Sequence, residues 1–157
     1  MGLGSMFSSN DYPVTGFYFK VTFSATLGLA DTSFKSVSGL NKKLETEEFV
    51  EGGENRYVHK LPTKLTHPNL VLKRGIGKMT SPLVIWCRSV FESDLAVAIV
   101  PMPILIHLLD ETGIPVRVWN VMNAFPVSWE IAEFDAQKNE VALETVELSY
   151  TYSNRLV

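Results

Sequence analysis

The chain has 157 residues, a length suited to one domain, and its 46% hydrophobic and 20% charged residues allow a real core and argue against disorder. Its 17 acidic and 14 basic residues, formal charge −3, are mixed along the chain, so there is no basic stripe of the kind a dedicated nucleic-acid binder needs to neutralise phosphates. One cysteine, Cys87, excludes an internal disulfide and leaves the fold to packing alone.

Residues 1–13 read as a flexible N-terminal segment. They are rich in Gly and Ser and lack the basic and apolar regions of a secretory signal. Residues 14–157 read as the folded domain. Phe17, Phe19, Val21 and Phe23 alternate with Tyr18, Lys20, Thr22 and Ser24, which predicts a half-buried strand. Residues 41–50 form an acidic strand that carries Glu45, Glu47 and Glu48. Residues 51–66 read as a long loop: Gly52 and Gly53 permit backbone angles closed to other residues, and Pro62 and Pro68 interrupt any ladder. Its apolar Tyr57, Val58 and Leu61 predict docking, either on the chain's own barrel or on a neighbour.

Ser81 is a plausible N-cap, and Pro82 suits the first helical position. Leu83, Trp86, Cys87 and Val90 then make one apolar stripe at helical spacing, with Arg88 and Glu92 on the other side. The apolar stretch 95–109 contains Pro101, Pro103 and His107, and is too short and broken to cross a bilayer as a helix. Residues 104–109 read as a central strand with His107 as a satisfied core residue. A turn at 110–113 and a strand at 114–122 follow. Val127, Trp129 and Ile131 alternate with polar residues, and Val146, Leu148, Tyr150 and Tyr152 share one face near the end. Many strands and one amphipathic helix predict a mainly β, barrel-like two-sheet fold with one covering helix.

Candidate chemistry is sparse. His59, His67 and His107 are scattered, without metal-site or catalytic spacing. The basic pair before Gly75 lacks the phosphate-loop pattern, so Lys73 and Arg74 are expected in ion pairs, within the subunit or across subunits. Cys87 lies on the apolar stripe and reads as a buried, inert thiol. Neither catalysis nor a metal or cofactor is expected.

Five phrases stand in order along the chain. They are Val37-Ser38-Gly39-Leu40 with the acidic alternation after it, and Glu51-Gly52-Gly53-Glu54-Asn55 followed by Tyr57 to Pro62. Then come Pro68 to Gly75 with Trp86 on the helix, Pro115-Val116 to Trp119-Asn120 with Asn123 to Pro126, and Asn139 to Leu148. Together they resemble the tail-tube protein family of contractile phages and phage-like injection systems, over about residues 16–152. Thr63 and Phe125 depart from the family's glycine and tryptophan.

The resemblance implies a non-enzymatic subunit of an inner tube. Six subunits would form a ring, rings would stack head to tail, and cargo or DNA would pass through the lumen. A sheath outside, a baseplate hub or spike and a tube-terminating protein are the implied partners. The particle would assemble in the bacterial cytoplasm and act as a virion component or a released particle. On this resemblance Glu51, Gly52, Gly53, Glu54, Asn55, Tyr57, Leu61, Lys73 and Arg74 are candidates for inter-subunit or inter-ring contact. Glu45, Glu47, Glu144 and Glu147 are candidates for the lumen wall. A baseplate-proximal ring that initiates the tube, a secreted ring of the type VI kind, and a monomeric β-barrel ligand-binding module are the alternatives.

Overall fold

The computed structural model describes residues 17–23, 30–53, 56–75, 80–96, 98–132, 137 and 142–157. The expected N-terminal segment 1–13, Glu54 and Asn55 lie outside them. The described elements, in chain order, are β1 (Tyr18–Phe23), β2 (Ala30–Ser38), β3 (Lys43–Phe49), β4 (His59–Thr66), β5 (Leu70–Gly75), α1 (Pro82–Phe91), β6 (Met102–Leu109), β7 (Pro115–Ile131), β8 (Leu143–Ser149) and β9 (Tyr152–Arg155).

The main sheet runs β6-β1-β2-β5-β8-β7-β9, and β6 also pairs with β7. That extra pairing closes six strands into a barrel and leaves β9 as an appendix on β7. Closure is possible because β7 is long and divides its partners. Residues from Pro115 to Ala124 pair with β6, and residues from Phe125 to Ile131 pair with β8. Asn123, at φ 55, sits at the change-over; Asn tolerates this left-handed conformation better than most residues. The strands expected at 114–122 and around Trp129 are therefore one element. The turn before them is as expected: Asp110 Oδ1 accepts from Thr112 N, Thr112 Oγ1 and Ile114 N at 2.6–2.9 Å.

The period-2 residues fill the barrel. Val21, Phe23, Leu70, Leu72, Ile104, Ile106, Val121, Val146 and Leu148 are all buried in one cluster. The helix adds Leu83, Trp86, Cys87 and Val90 to the same core, and the Trp86 ring meets Phe23 edge-on at 5.7 Å. Ser81 caps the helix as expected, accepting from Val84 N at 3.4 Å. Two expectations fail. Tyr152 does not share the buried face of Val146 and Leu148, because the strand breaks at Tyr150–Thr151 and restarts as β9 with Tyr152 exposed. His107 is not a satisfied core residue: its Nδ1 is buried without a hydrogen-bond partner, and burial holds its pKa below the ordinary imidazole value.

Candidate functional site: an exposed arm and a polar barrel wall

Within the expected loop 51–66, residues 59–66 are not loop. His59–Thr66 is a strand, β4, paired antiparallel with β3 in a separate two-stranded sheet. Pro62 fits there because a register irregularity lies beside it, between Glu45 and Thr46, and because a two-stranded ribbon has an open edge on each strand. Nearly every residue of both strands is exposed. Leu44, Phe49, Val50, Tyr57, Val58, Leu61 and Leu65 are exposed large apolar residues, with Tyr57 at 56% and Leu61 at 51%. An isolated two-stranded hairpin is at best marginally stable in water.

At the tip, Tyr57 meets His59 edge-on at 5.0 Å, and His59 lies 3.9 Å from the Glu51 carboxylate. Along the arm Glu45 pairs with Lys64 at 3.5 Å, a surface ion pair of little net value. Glu47 lies opposite Leu61. Gly53 has φ +97 with nothing within 4 Å of an added Cβ. Gly53→Ala is therefore expected to cost only the left-handed backbone term, about 1–2 kcal/mol. Amide hydrogen exchange should show that loss confined to the arm. An effect spread over the barrel would contradict this reading.

The arm is rooted on the turn between β8 and β9. Tyr150 Oη donates to Gly39 O at 2.6 Å, and Lys42 Nζ donates to Ser153 O at 2.5 Å. His67 stacks on the Tyr150 ring, with centroids 3.9 Å apart and planes 11° apart. Sequence reasoning left His67 and Tyr150 without a role at the site. The turn that joins them is set by β8–β9 geometry, which the pattern of Val146, Leu148, Tyr150 and Tyr152 concealed.

The barrel's outer face over β2, β5, β8 and β7 is polar. Strand register lines up Ser36, Lys73, Thr145 and Glu130 in one row, and Ser38, Val71, Glu147 and Ser128 in the next. Partners in register share a face, so Lys73 and Glu147 stand on this wall, and Asn69 Nδ2 donates to Glu147 Oε1 at 2.7 Å.

Arg74 and Glu144 belong to the opposite face and correct the sequence reading. They are 5% and 2% exposed, opposite one another in the β5–β8 ladder. Arg74 Nε donates to Glu144 Oε2 at 2.9 Å, and Arg74 Nη2 donates to Ser81 Oγ at 2.7 Å. Trp129 Nε1 donates to Glu144 Oε1 at 2.7 Å, and the guanidinium carbon lies 5.0 Å from the Phe34 ring centroid. Glu144 is thus not a lumen carboxylate, and Arg74 is not a contact with a neighbour. Their ion pair lies within the subunit, where it ties the helix N-cap to the barrel. The signal was present in the sequence: Arg74 follows Leu70 and Leu72 at period 2, and Glu144 precedes Val146 and Leu148 at period 2.

Among the described residues no three His, Cys, Asp or Glu side chains gather as a metal site, and no helix there is long and apolar enough to cross a membrane. The features that remain are an apolar arm, strand edges without a partner among the described residues, and a polar wall. The family model described as T4-like virus tail tube protein gp19 matches residues 15–154. The chain belongs to this tail tube family. Among solved structures, it is 30% identical to a chain of the anti-feeding prophage baseplate, with TM-score 0.75, covering 92% of this chain and 96% of that one. It is 28% identical to a chain of that prophage's tube-terminating cap, with TM-score 0.74, covering 100% and 99%. It is 27% identical to a chain of the PVC extracellular contractile injection system's sheath–tube complex, with TM-score 0.72, covering 94% and 93%. Hcp1 from Flavobacterium johnsoniae, at 13% identity and TM-score 0.57 over 88% and 94% of the chains, shares the fold. Among curated proteins none matches the chain significantly. The chain is a structural tail tube protein, and its barrel with one helix is the fold of that family.

Proposed function

We propose that this tail tube protein is the repeating subunit of the inner tube of a contractile phage tail or phage-like injection particle, and that it has no catalytic role. Six copies close into a ring and rings stack into a hollow tube. The arm makes the contact between copies, and the polar wall with Lys73 and Glu147 faces a wet lumen through which cargo or DNA passes. Glu45, Glu47, Glu51, Gly52 and Gly53 then belong to the contact surface rather than to the lumen. A sheath outside, a baseplate below and a terminating cap above are the partners, in line with the assemblies that contain its relatives. Assembly takes place in the bacterial cytoplasm before the particle is released.

The observation that carries this reading is the arm. A ring needs two different patches on each subunit. The arm supplies apolar side chains and strand edges that have no partner among the described residues, and β9 supplies a further such edge, whereas each of the six barrel strands has a neighbour on both sides over at least part of its length. Each of Leu61 and Leu65 gains about 1.5–3 kcal/mol if a neighbour buries it fully.

Electron microscopy of the purified protein at rising concentration tests this. The wild type is expected to give six-fold rings with a central hole, then stacks. Leu61→Ser with Leu65→Ser is expected to raise the concentration at which rings appear by at least about tenfold. Unchanged assembly of that variant would remove the arm from the ring contact. Compact single particles at every concentration would overturn ring formation by this protein alone. A second reading, a ring that starts the tube at the baseplate, is favoured by the 30% identity to a baseplate chain, and predicts single rings that do not stack.

A further inference from the structure

His67 joins the arm to the barrel, between the end of β4 and Pro68. Its two ring nitrogens both face main-chain carbonyl oxygens: Nε2 lies 2.9 Å from Thr151 O, and Nδ1 lies 3.0 Å from Pro68 O. A carbonyl oxygen only accepts. A neutral imidazole has one N–H and one bare lone pair, whereas the imidazolium has two N–H groups. The neutral ring can therefore fill one of these contacts, and at the other it turns a lone pair against an oxygen. The charged ring donates at both. It also lies flat on the Tyr150 ring, where a cation is attracted by the aromatic face.

The same Tyr150 holds the other root through its hydroxyl on Gly39 O, and Gly39 is packed against the main chain of Asn69. The two strands that carry the arm thus meet at one socket, and His67 supplies its imidazole. The surrounding ionisable groups are otherwise engaged. Burial holds the Tyr150 hydroxyl above its ordinary value, so it stays a neutral donor. Lys42 is bonded to Ser153 O, Lys43 stands opposite Thr66, and Glu147 accepts from Asn69.

We propose that His67 is a proton-operated latch at the root of the arm, closed when both ring nitrogens donate and loosened when one proton leaves. The arm is fixed to the socket on the acid side of the imidazole range and released toward alkaline pH. The sign follows from the contacts: the latched conformation holds two donors, so deprotonation opposes it. The consequence for ring formation rests on the arm being the contact between subunits; the latch itself does not.

The test compares the wild type with His67→Gln, both as full-length protein at dilutions below ring formation, by the rate of trypsin cleavage within the arm. Taking the ratio of the two proteins at each pH cancels the protease's own pH dependence and any contribution from His107. At pH 5.5 the wild type is expected to be cut about three- to tenfold more slowly, the value of one net hydrogen bond; at pH 8.5 the rates converge. A ratio that is the same at both pH values overturns the latch. Nuclear magnetic resonance of the wild type alone provides a check that does not depend on the variant's folding. Both ring N–H protons of His67 are expected to be visible at pH 5.5, protected by their carbonyl partners, and loss of both to rapid solvent exchange overturns the proposal. The Leu61→Ser, Leu65→Ser assembly experiment separates the two ideas. If it leaves rings unchanged while the cleavage ratio moves with pH, the latch stands and the arm's role in the ring falls.

Discussion

Arg74→Ala is expected to lower the free energy of unfolding by about 3–5 kcal/mol, the cost of breaking a buried ion pair from one side. Urea or guanidinium denaturation measures it. The size follows from what is left behind. Glu144 is 2% exposed and keeps its carboxylate deep under the sheet after the guanidinium has gone. Ser81 loses the donor that ties the helix N-cap to β5, and Phe34 loses the cation against its ring. Against a total stability of about 5–15 kcal/mol, such a loss threatens the fold itself. Removing both members of a buried pair differs from breaking it from one side, and that gives a second arm to the prediction. Arg74→Met combined with Glu144→Leu removes both charges and is expected to recover most of the loss, because an apolar pair carries no desolvation cost. If Arg74→Ala costs less than about 1 kcal/mol, water reaches Glu144 and the site is not sealed. If the double variant is no better than the single one, the pair matters through its hydrogen bonds to Ser81 and Trp129 rather than through its charge.

The same pair shows how far the sequence could be read. Strands announced themselves by period: Val21 and Phe23, and Val146 and Leu148, point inward as their alternation requires. The helix was legible because Ser81, Pro82 and one apolar stripe coincide. The wall that holds Glu147 followed from the polar half of the same alternation. Arg74 and Glu144 lay on the apolar half, where charge outweighed period in the reading. Their pairing spans 70 positions, and only the β5–β8 register brings them together. The arm was misread for a different reason. Gly52, Gly53 and Pro62 are loop residues by composition, but a two-stranded ribbon with a register irregularity and two open edges accommodates a proline that a central strand would reject. The socket of Gly39, His67 and Tyr150 depends on a turn between two short strands, which no local periodicity encodes.

Gly39→Ala is the second large loss expected, at about 2–5 kcal/mol, and Gly53→Ala is its control. Both glycines have nearly the same backbone angle, φ +96 and +97, so both substitutions carry the left-handed term of about 1–2 kcal/mol. Their surroundings differ. A Cβ on Gly53 meets nothing within 4 Å, whereas a Cβ on Gly39 would stand 2.0 Å from Asn69 O and 2.9 Å from Leu70 Cα. Those are main-chain atoms of the segment that enters β5, and they cannot rotate away as a flexible side chain would. Relief requires the two arm roots to part, at an overpacking cost of about 1–3 kcal/mol. Parting them also pulls Gly39 O from the Tyr150 hydroxyl. The difference in unfolding free energy between the two variants therefore isolates the close approach of the roots from backbone strain. Equal losses would mean that the roots have room to separate. A larger loss at Gly39, with Tyr150 and His67 displaced in the spectra, would show that the arm's direction is set where its two strands cross the barrel rim, before any neighbouring subunit is met.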